Sequence, residues 1–185
     1  MVSFYIYIAI MVATAIERLI EVRVSLRNAK WSFERGGVEY GAEHYPFMVV
    51  LHTGFLFACL IEAWLAERAF IPALGYPMIA LAVATQALRW WCIHTLGYRW
   101  NTRVIIVPNL PKVTKGPYRY LSHPNYMVVA LEGIALPLIH SCYYTAIGFT
   151  LLNAILMMVR LRCENEALSK LATSQTQTQT QIQAP

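Results

Sequence analysis

The sequence contains no aspartate, and only 14% of its 185 residues are charged, against about 25% in an ordinary soluble domain. The missing Asp removes the usual Asp-held Mg²⁺ sites of phosphoryl transfer and the aspartic-protease dyad. The four cysteines, Cys59, Cys92, Cys142 and Cys163, form no C-x-x-C pair, so neither a disulfide framework nor a metal site is expected. G-x-G-x-x-G, Walker A, H-E-x-x-H and G-x-S-x-G patterns are all missing. Any nucleotide-like cofactor must then be held by something other than a Rossmann crossover. No Lys or Arg precedes the first apolar run, which therefore reads as a retained anchor and not a signal peptide.

What is present is hydrophobic: 57% of the chain, with a mean hydropathy of +0.45. A small soluble protein has too much surface to cover for such a composition, so the expected solvent is a lipid bilayer. Runs of about 20 apolar residues mark membrane spans. Candidates lie at 2–20, 46–66, 72–96, 126–139 and 142–159, with polar connections at 21–45 and 97–125. The expectation is an all-α integral membrane protein of about five transmembrane helices, with a cytosolic connection that binds cofactor. The fourth span is short, so the last two could form a hairpin that only partly crosses. The net charge of +5 belongs on inner loops, not on nucleic acid. With the N-terminus outside and the C-terminus cytoplasmic, segments 21–45, 97–125 and 160–185 hold twelve of the fifteen Lys and Arg, as the positive-inside rule requires. Residues 1–172 read as a single membrane domain. The Thr/Gln-rich segment 173–185 lacks core-forming side chains and reads as a disordered tail.

Chemistry-bearing residues concentrate in two places. In 94–132, Gly116-Pro117 marks a turn, and Pro124 suits the first turn of a helix with Ser122 or His123 at its cap. The free amides of a helix start favour an anion. Tyr118, Tyr120, His123 and Tyr126 crowd around that start; the plainer alternative is an interfacial aromatic belt. After the last span, Arg160 and Glu164 share a helix face, as do Arg162 and Glu166. The plainer alternative there is a solvated juxtamembrane helix. Glu132 falls inside a span, where an ionisable group normally faces a cavity or a partner. His52, Glu62, Gln86, Arg89 and Asn153 are the other polar residues in spans. Arg89 can snorkel; the others suit interhelical hydrogen bonds.

These residues resemble the isoprenylcysteine carboxyl methyltransferase family, closest to its small bacterial branch. The likeness covers about 75–172. It is carried by Leu96-Gly97-x-Arg99-Trp100, Gly116-Pro117-Tyr118-Arg119, His123-Pro124-Asn125-Tyr126, Glu132, and Arg160-x-x-x-Glu164 with Leu168. Ser122 departs from the Arg the family often has before His-Pro, a loss for which Arg119 would compensate. The resemblance implies S-adenosylmethionine as cofactor and a lipid-tailed, prenyl or alkyl, acceptor entering from the bilayer. It implies cofactor contacts from Tyr118, Arg119, His123, Pro124, Asn125 and Tyr126, methyl transfer at Arg160 and Glu164, and acceptor contacts from Trp100 and Glu132.

The chemistry is compatible. A helix start suits the cofactor's carboxylate, and aromatic faces suit its sulfonium. A carboxylate acceptor is already ionised at neutral pH and needs a cation, which Arg160 can supply as a fork. A hydroxyl acceptor would gain from a base, with Glu132 or Glu164 as candidates. Two other functions stay open at this point: an NADPH-dependent membrane reductase of the sterol-reductase type, and a non-catalytic membrane scaffold.

Overall fold

No Gly or Pro interrupts residues 2–35, and α1 runs unbroken through Val2–Phe33. The computed structural model describes residues 2–108, 110–111 and 113–183, with side chains through Ala167. Lys112 and the side chains of Leu168 and Lys170 lie outside the described residues. The long α1 corrects the expectation of a span at 2–20 followed by a polar connection. Glu21, Ser25, Asn28 and Ser32 recur at helical spacing and are all buried, so the polar residues form a stripe that packs inward. Asn28 Nδ2 donates to the carbonyls of Gly97 (3.0 Å) and Trp100 (2.7 Å). The Thr102 N–H donates to Ser25 Oγ at 3.0 Å. The second half of α1 thus meets the hydrogen-bonding needs of a loop that would otherwise carry unpaired backbone groups.

After the Gly36-Gly37 break, β1 (Val38–Tyr40) leads through a short turn to α2 (Tyr45–Leu65) and α3 (Pro72–Leu96). The connection that follows holds β2 (Val104–Ile106), then α4 (Pro124–Leu138) and α5 (Tyr143–Gln183). The strands pair antiparallel with Glu39 opposite Ile105. This short ladder is a local feature of the connections, and the chain is all-helical otherwise, as the sequence predicts. Arg103 ties the same region together by reaching Glu39 at 3.3 Å.

Among the described residues, three helical stretches are long and apolar enough to cross a bilayer: Val2–Phe33, Ala42–Leu65 and Tyr143–Ala167. Their outward faces carry Phe57, Ile61, Leu151 and Ile155, all exposed, as lipid contact requires and water does not tolerate in such number. The other two helices do not meet that standard. Gln86, Arg89, Trp90 and Trp91 dilute α3, and the 15 residues of α4 reach only about 22 Å against a hydrocarbon core of about 30 Å. α4 is instead an internal helix packed between α3 and α5. A Cβ at Gly133 would lie 2.5 Å from the Phe149 ring, so glycine there lets α4 and α5 approach. Phe149 in turn packs on Phe55 of α2, with tilted rings whose centroids are 4.1 Å apart, in the core shared by all five helices.

The backbone of α5 continues as helix through the Thr/Gln segment to Gln183.

Candidate functional site

Pro124 opens α4 and His123 is its cap, as the sequence predicts. The preceding turn at Gly116–Arg119 needs glycine at its first position. Gly116 has φ +55°, and a Cβ there would lie 2.5 Å from Thr95 Oγ1. This turn and the cap bring Tyr118, His123, Asn125 and Tyr126 to one wall of a cavity of about 330 Å³, within the usual range for a small-molecule site. Trp100, Asn101 and Arg103 from the connection form another wall, and Arg160, Glu164 and Asn165 of α5 close it.

Tyr126 is the pivot of the polar side. Arg160 Nε donates to its hydroxyl at 3.1 Å, and that hydroxyl donates to Glu164 Oε2. The guanidinium also lies over the Tyr126 ring, 5.4 Å from the centroid. His123 stacks on the same ring at 5.3 Å, with its Nδ1 4.0 Å from Glu164 Oε1. Arg160 and Glu164 do share a face, but they are coupled through a tyrosine and not by the direct i, i+4 pair that the spacing predicts. Arg160 is 8% exposed and makes a further contact to Met48 Sδ at 2.9 Å. The solvated-helix alternative therefore does not describe it.

Three buried polar atoms on the cavity residues have no partner: Trp100 Nε1, Asn101 Nδ2 and Asn125 Oδ1. Buried polar groups are rarely left so in the absence of a ligand or water. Tyr118 contributes a neutral hydroxyl, because burial, reinforced by the neighbouring Cys92 thiol, holds its ionisation well above the usual range.

Three expected site residues lie elsewhere. Glu132 is 7% exposed and faces partners, not the cavity. It pairs with Arg89 and, at 3.1 Å, with Arg18. Glu21 completes the cluster at 2.7 Å from Arg18 and 3.5 Å from Arg89. Arg89 is accordingly a buried ion-pair partner and does not snorkel. Arg119 is exposed, its guanidinium 5.8 Å from the Tyr120 ring centroid, and does not line the cavity, so it does not compensate for Ser122. Pro124 is buried under the helix start and shapes the wall without facing it. The sequence reading missed Asn101, Arg103 and Asn165. The first two lie next to Trp100, but nothing in their spacing separates them from an ordinary polar loop.

The family model for the isoprenylcysteine carboxyl methyltransferase (ICMT) family matches residues 78–170, a stretch that contains most of these cavity residues. A relative named "Uncharacterized protein YpbQ", from Bacillus subtilis (strain 168), is 35% identical over 170 residues, covering 90% of this chain and 97% of that protein. A second relative, an "Uncharacterized protein" of Haemophilus influenzae (strain ATCC 51907 / DSM 11121 / KW20 / Rd), is 26% identical over 157 residues, covering 83% of this chain and 90% of its own. No solved structure matches. With a family match that spans the cavity at the His-Pro-Asn-Tyr helix start and the last of its membrane-length helices, the chain belongs to the isoprenylcysteine carboxyl methyltransferase family, and membership implies a membrane methyltransferase.

Proposed function

We propose that the protein is an S-adenosylmethionine-dependent O-methyltransferase acting on a lipid-tailed carboxylate or hydroxyl acceptor, at a cavity on the cytoplasmic side of the membrane. The observation that carries the reading is the Arg160–Tyr126–Glu164 chain set in a cavity wall beside unpartnered polar atoms. The donor set fits the cofactor. Glu164 and the stacked rings of His123 and Tyr126 offer an anionic and π-rich surface to a cation. Trp100 Nε1 and Asn101 Nδ2 are free donors, and Asn125 Oδ1 is a free acceptor. When bound, S-adenosylmethionine supplies an electrophilic methyl group on a sulfonium.

The residues' task is then mostly alignment, since in-line displacement gains chiefly from holding both partners close and oriented. Arg160 holds the anionic oxygen of the acceptor. Tyr126 fixes the guanidinium plane by accepting from Nε, and Glu164 fixes Tyr126 by accepting the hydrogen bond that its hydroxyl donates. A carboxylate acceptor arrives ionised and requires no base. For a hydroxyl acceptor, Glu164 is the carboxylate within the cavity, whereas Glu132 is committed to Arg18 and Arg89.

The test is methyl transfer from labelled S-adenosylmethionine by Arg160→Ala and Arg160→Lys, with S-farnesylcysteine, a long-chain fatty acid and a long-chain enol as acceptors. Removing a charged contact made to the reacting group costs about 2–4 kcal/mol, on the order of 30- to 1000-fold in rate. Lys recovers little, because it lacks the planar fork. Wild-type turnover in Arg160→Ala would sink the assignment. Binding of NADPH in place of S-adenosylmethionine would favour the reductase.

A further inference from the structure

The outer face of α1 changes character along its length. Val12, Ile16 and Leu19 are exposed along one stripe. Arg23, Arg27 and Lys30 continue that stripe at helical spacing and are exposed as well. Leu26 and Phe33, exposed beside the basic residues, give them an apolar margin. The 32 residues of α1 extend about 48 Å, whereas a hydrocarbon core is about 30 Å thick and takes up about 20 residues of helix. The basic turns therefore stand where α1 leaves the hydrocarbon. Ser32 lines the first cavity, so this boundary lies at the cavity's end of the molecule.

Among the described residues, neither Arg23 nor Lys30 has a hydrogen bond or an ion pair. Arg27 meets only the Tyr98 ring, with its guanidinium 5.1 Å from the centroid. Tyr98 stacks on Trp31 at 5.6 Å, so two aromatic rings steady Arg27 and leave its N–H fork open. Glu34, one turn beyond Lys30, lies 4.0 Å from Arg35 instead. We propose that Arg23, Arg27 and Lys30 bind the phosphate of an anionic phospholipid such as phosphatidylglycerol, whose acyl chains lie along Val12, Ile16 and Leu19. Guanidinium forks suit phosphate oxygens. Three cations without an acid suit a headgroup of net negative charge over phosphatidylcholine, whose choline cancels its phosphate. The apolar stripe that runs into the basic turns fits a lipid, whereas a soluble polyanion would make no use of it. The site stands apart from the methyltransferase reading and does not depend on it.

The test titrates phosphatidylglycerol and phosphatidylcholine onto the full chain in a nonionic detergent and counts bound lipid by native mass spectrometry. A basic side chain at an anionic surface is worth about fivefold in affinity. The wild type is expected to prefer phosphatidylglycerol by on the order of tenfold or more. Arg23→Gln with Lys30→Gln should lower phosphatidylglycerol affinity about 10- to 25-fold and leave phosphatidylcholine unchanged. Lys115→Gln with Arg119→Gln removes the same charge from exposed positions on the connection, away from any membrane-length helix, and should cost less than about twofold. Glycerophosphoglycerol, the headgroup without chains, should not displace the lipid. Equal affinity of the wild type for the two lipids overturns the proposal. Equal losses in the two double variants also overturn it, because they would show general surface charge and no site. Displacement by the chain-free headgroup would show a site for soluble anions and overturn the lipid assignment. If Arg23→Gln with Lys30→Gln does not melt cooperatively, Lys30→Gln alone decides: a loss of about fivefold supports the site, and an unchanged affinity refutes it.

Discussion

Replacing Glu132 by Gln should weaken the fold and spare the chemistry. The carboxylate sits in a cluster of two cations and two anions, Arg18, Arg89, Glu21 and Glu132, with Gln86 donating support by accepting from Arg18 at 3.2 Å. Glu132→Gln keeps the shape but removes one charge, leaving buried Arg89 with only Glu21 at 3.5 Å. Breaking a buried pair typically costs about 3–5 kcal/mol, and for a chain of this size each kcal/mol lowers the melting temperature by about 2–4 °C. The expected loss is on the order of 10 °C in a thermal melt followed by intrinsic fluorescence. Turnover per folded molecule should stay near wild type at a temperature where both are folded, because Glu132 does not face the cavity. Arg89→Met with Glu132→Leu removes a cation and an anion together and leaves Arg18 with Glu21, so it should recover most of the loss. A Glu132→Gln variant with wild-type melting and abolished methyl transfer would refute the placement and return Glu132 to the acceptor site.

Tyr126→Phe keeps the ring against His123 but deletes the hydroxyl linking Arg160 to Glu164; steady-state assays should show turnover down about 10- to 100-fold, equivalent to about 1–3 kcal/mol, with melting shifted by only a few degrees. Deleting residues 173–185 should leave melting temperature and turnover nearly unchanged, since the segment has little apolar surface to bury; a large drop in either would show that it docks. A topology reporter fused after Ala172 should read as cytoplasmic, with the positive charge of 97–125 and 160–172 on the same side; an exported reading would invert the proposed orientation.

Apolar run length made most helix positions legible. The 72–96 span coincides with α3, and the spans at 46–66 and 142–159 fall within a residue of the starts of α2 and α5. Pro124 fixed the start of the helix that carries the cavity wall. Tertiary partners explain what was not legible. The polar half of α1 continues as helix because Ser25 and Asn28 face the loop around Trp100 and Thr102, a pairing 72 to 77 residues away in the chain. The β1–β2 ladder is three residues a side, too short for alternation to register, although Val104-Ile105-Ile106-Val107 carries the β-branched signal. The i, i+4 spacing placed Arg160 and Glu164 together correctly, but it could not reveal that Tyr126, 34 residues from Arg160, stands between them. Glu132 reads as functional by depth alone, and only the fold supplies the two arginines that occupy it.

We propose that the connection between α3 and α4, with the start of α4 and the inner part of α5, forms the S-adenosylmethionine site. Ultraviolet crosslinking of labelled S-adenosylmethionine to the wild-type protein, followed by peptide mapping, tests it most directly. The label should fall in peptides between Trp100 and Asn165, at the cavity side chains, and excess unlabelled S-adenosylhomocysteine should displace it. Label confined to α1 or α2, or label that excess S-adenosylhomocysteine does not displace, would contradict the account.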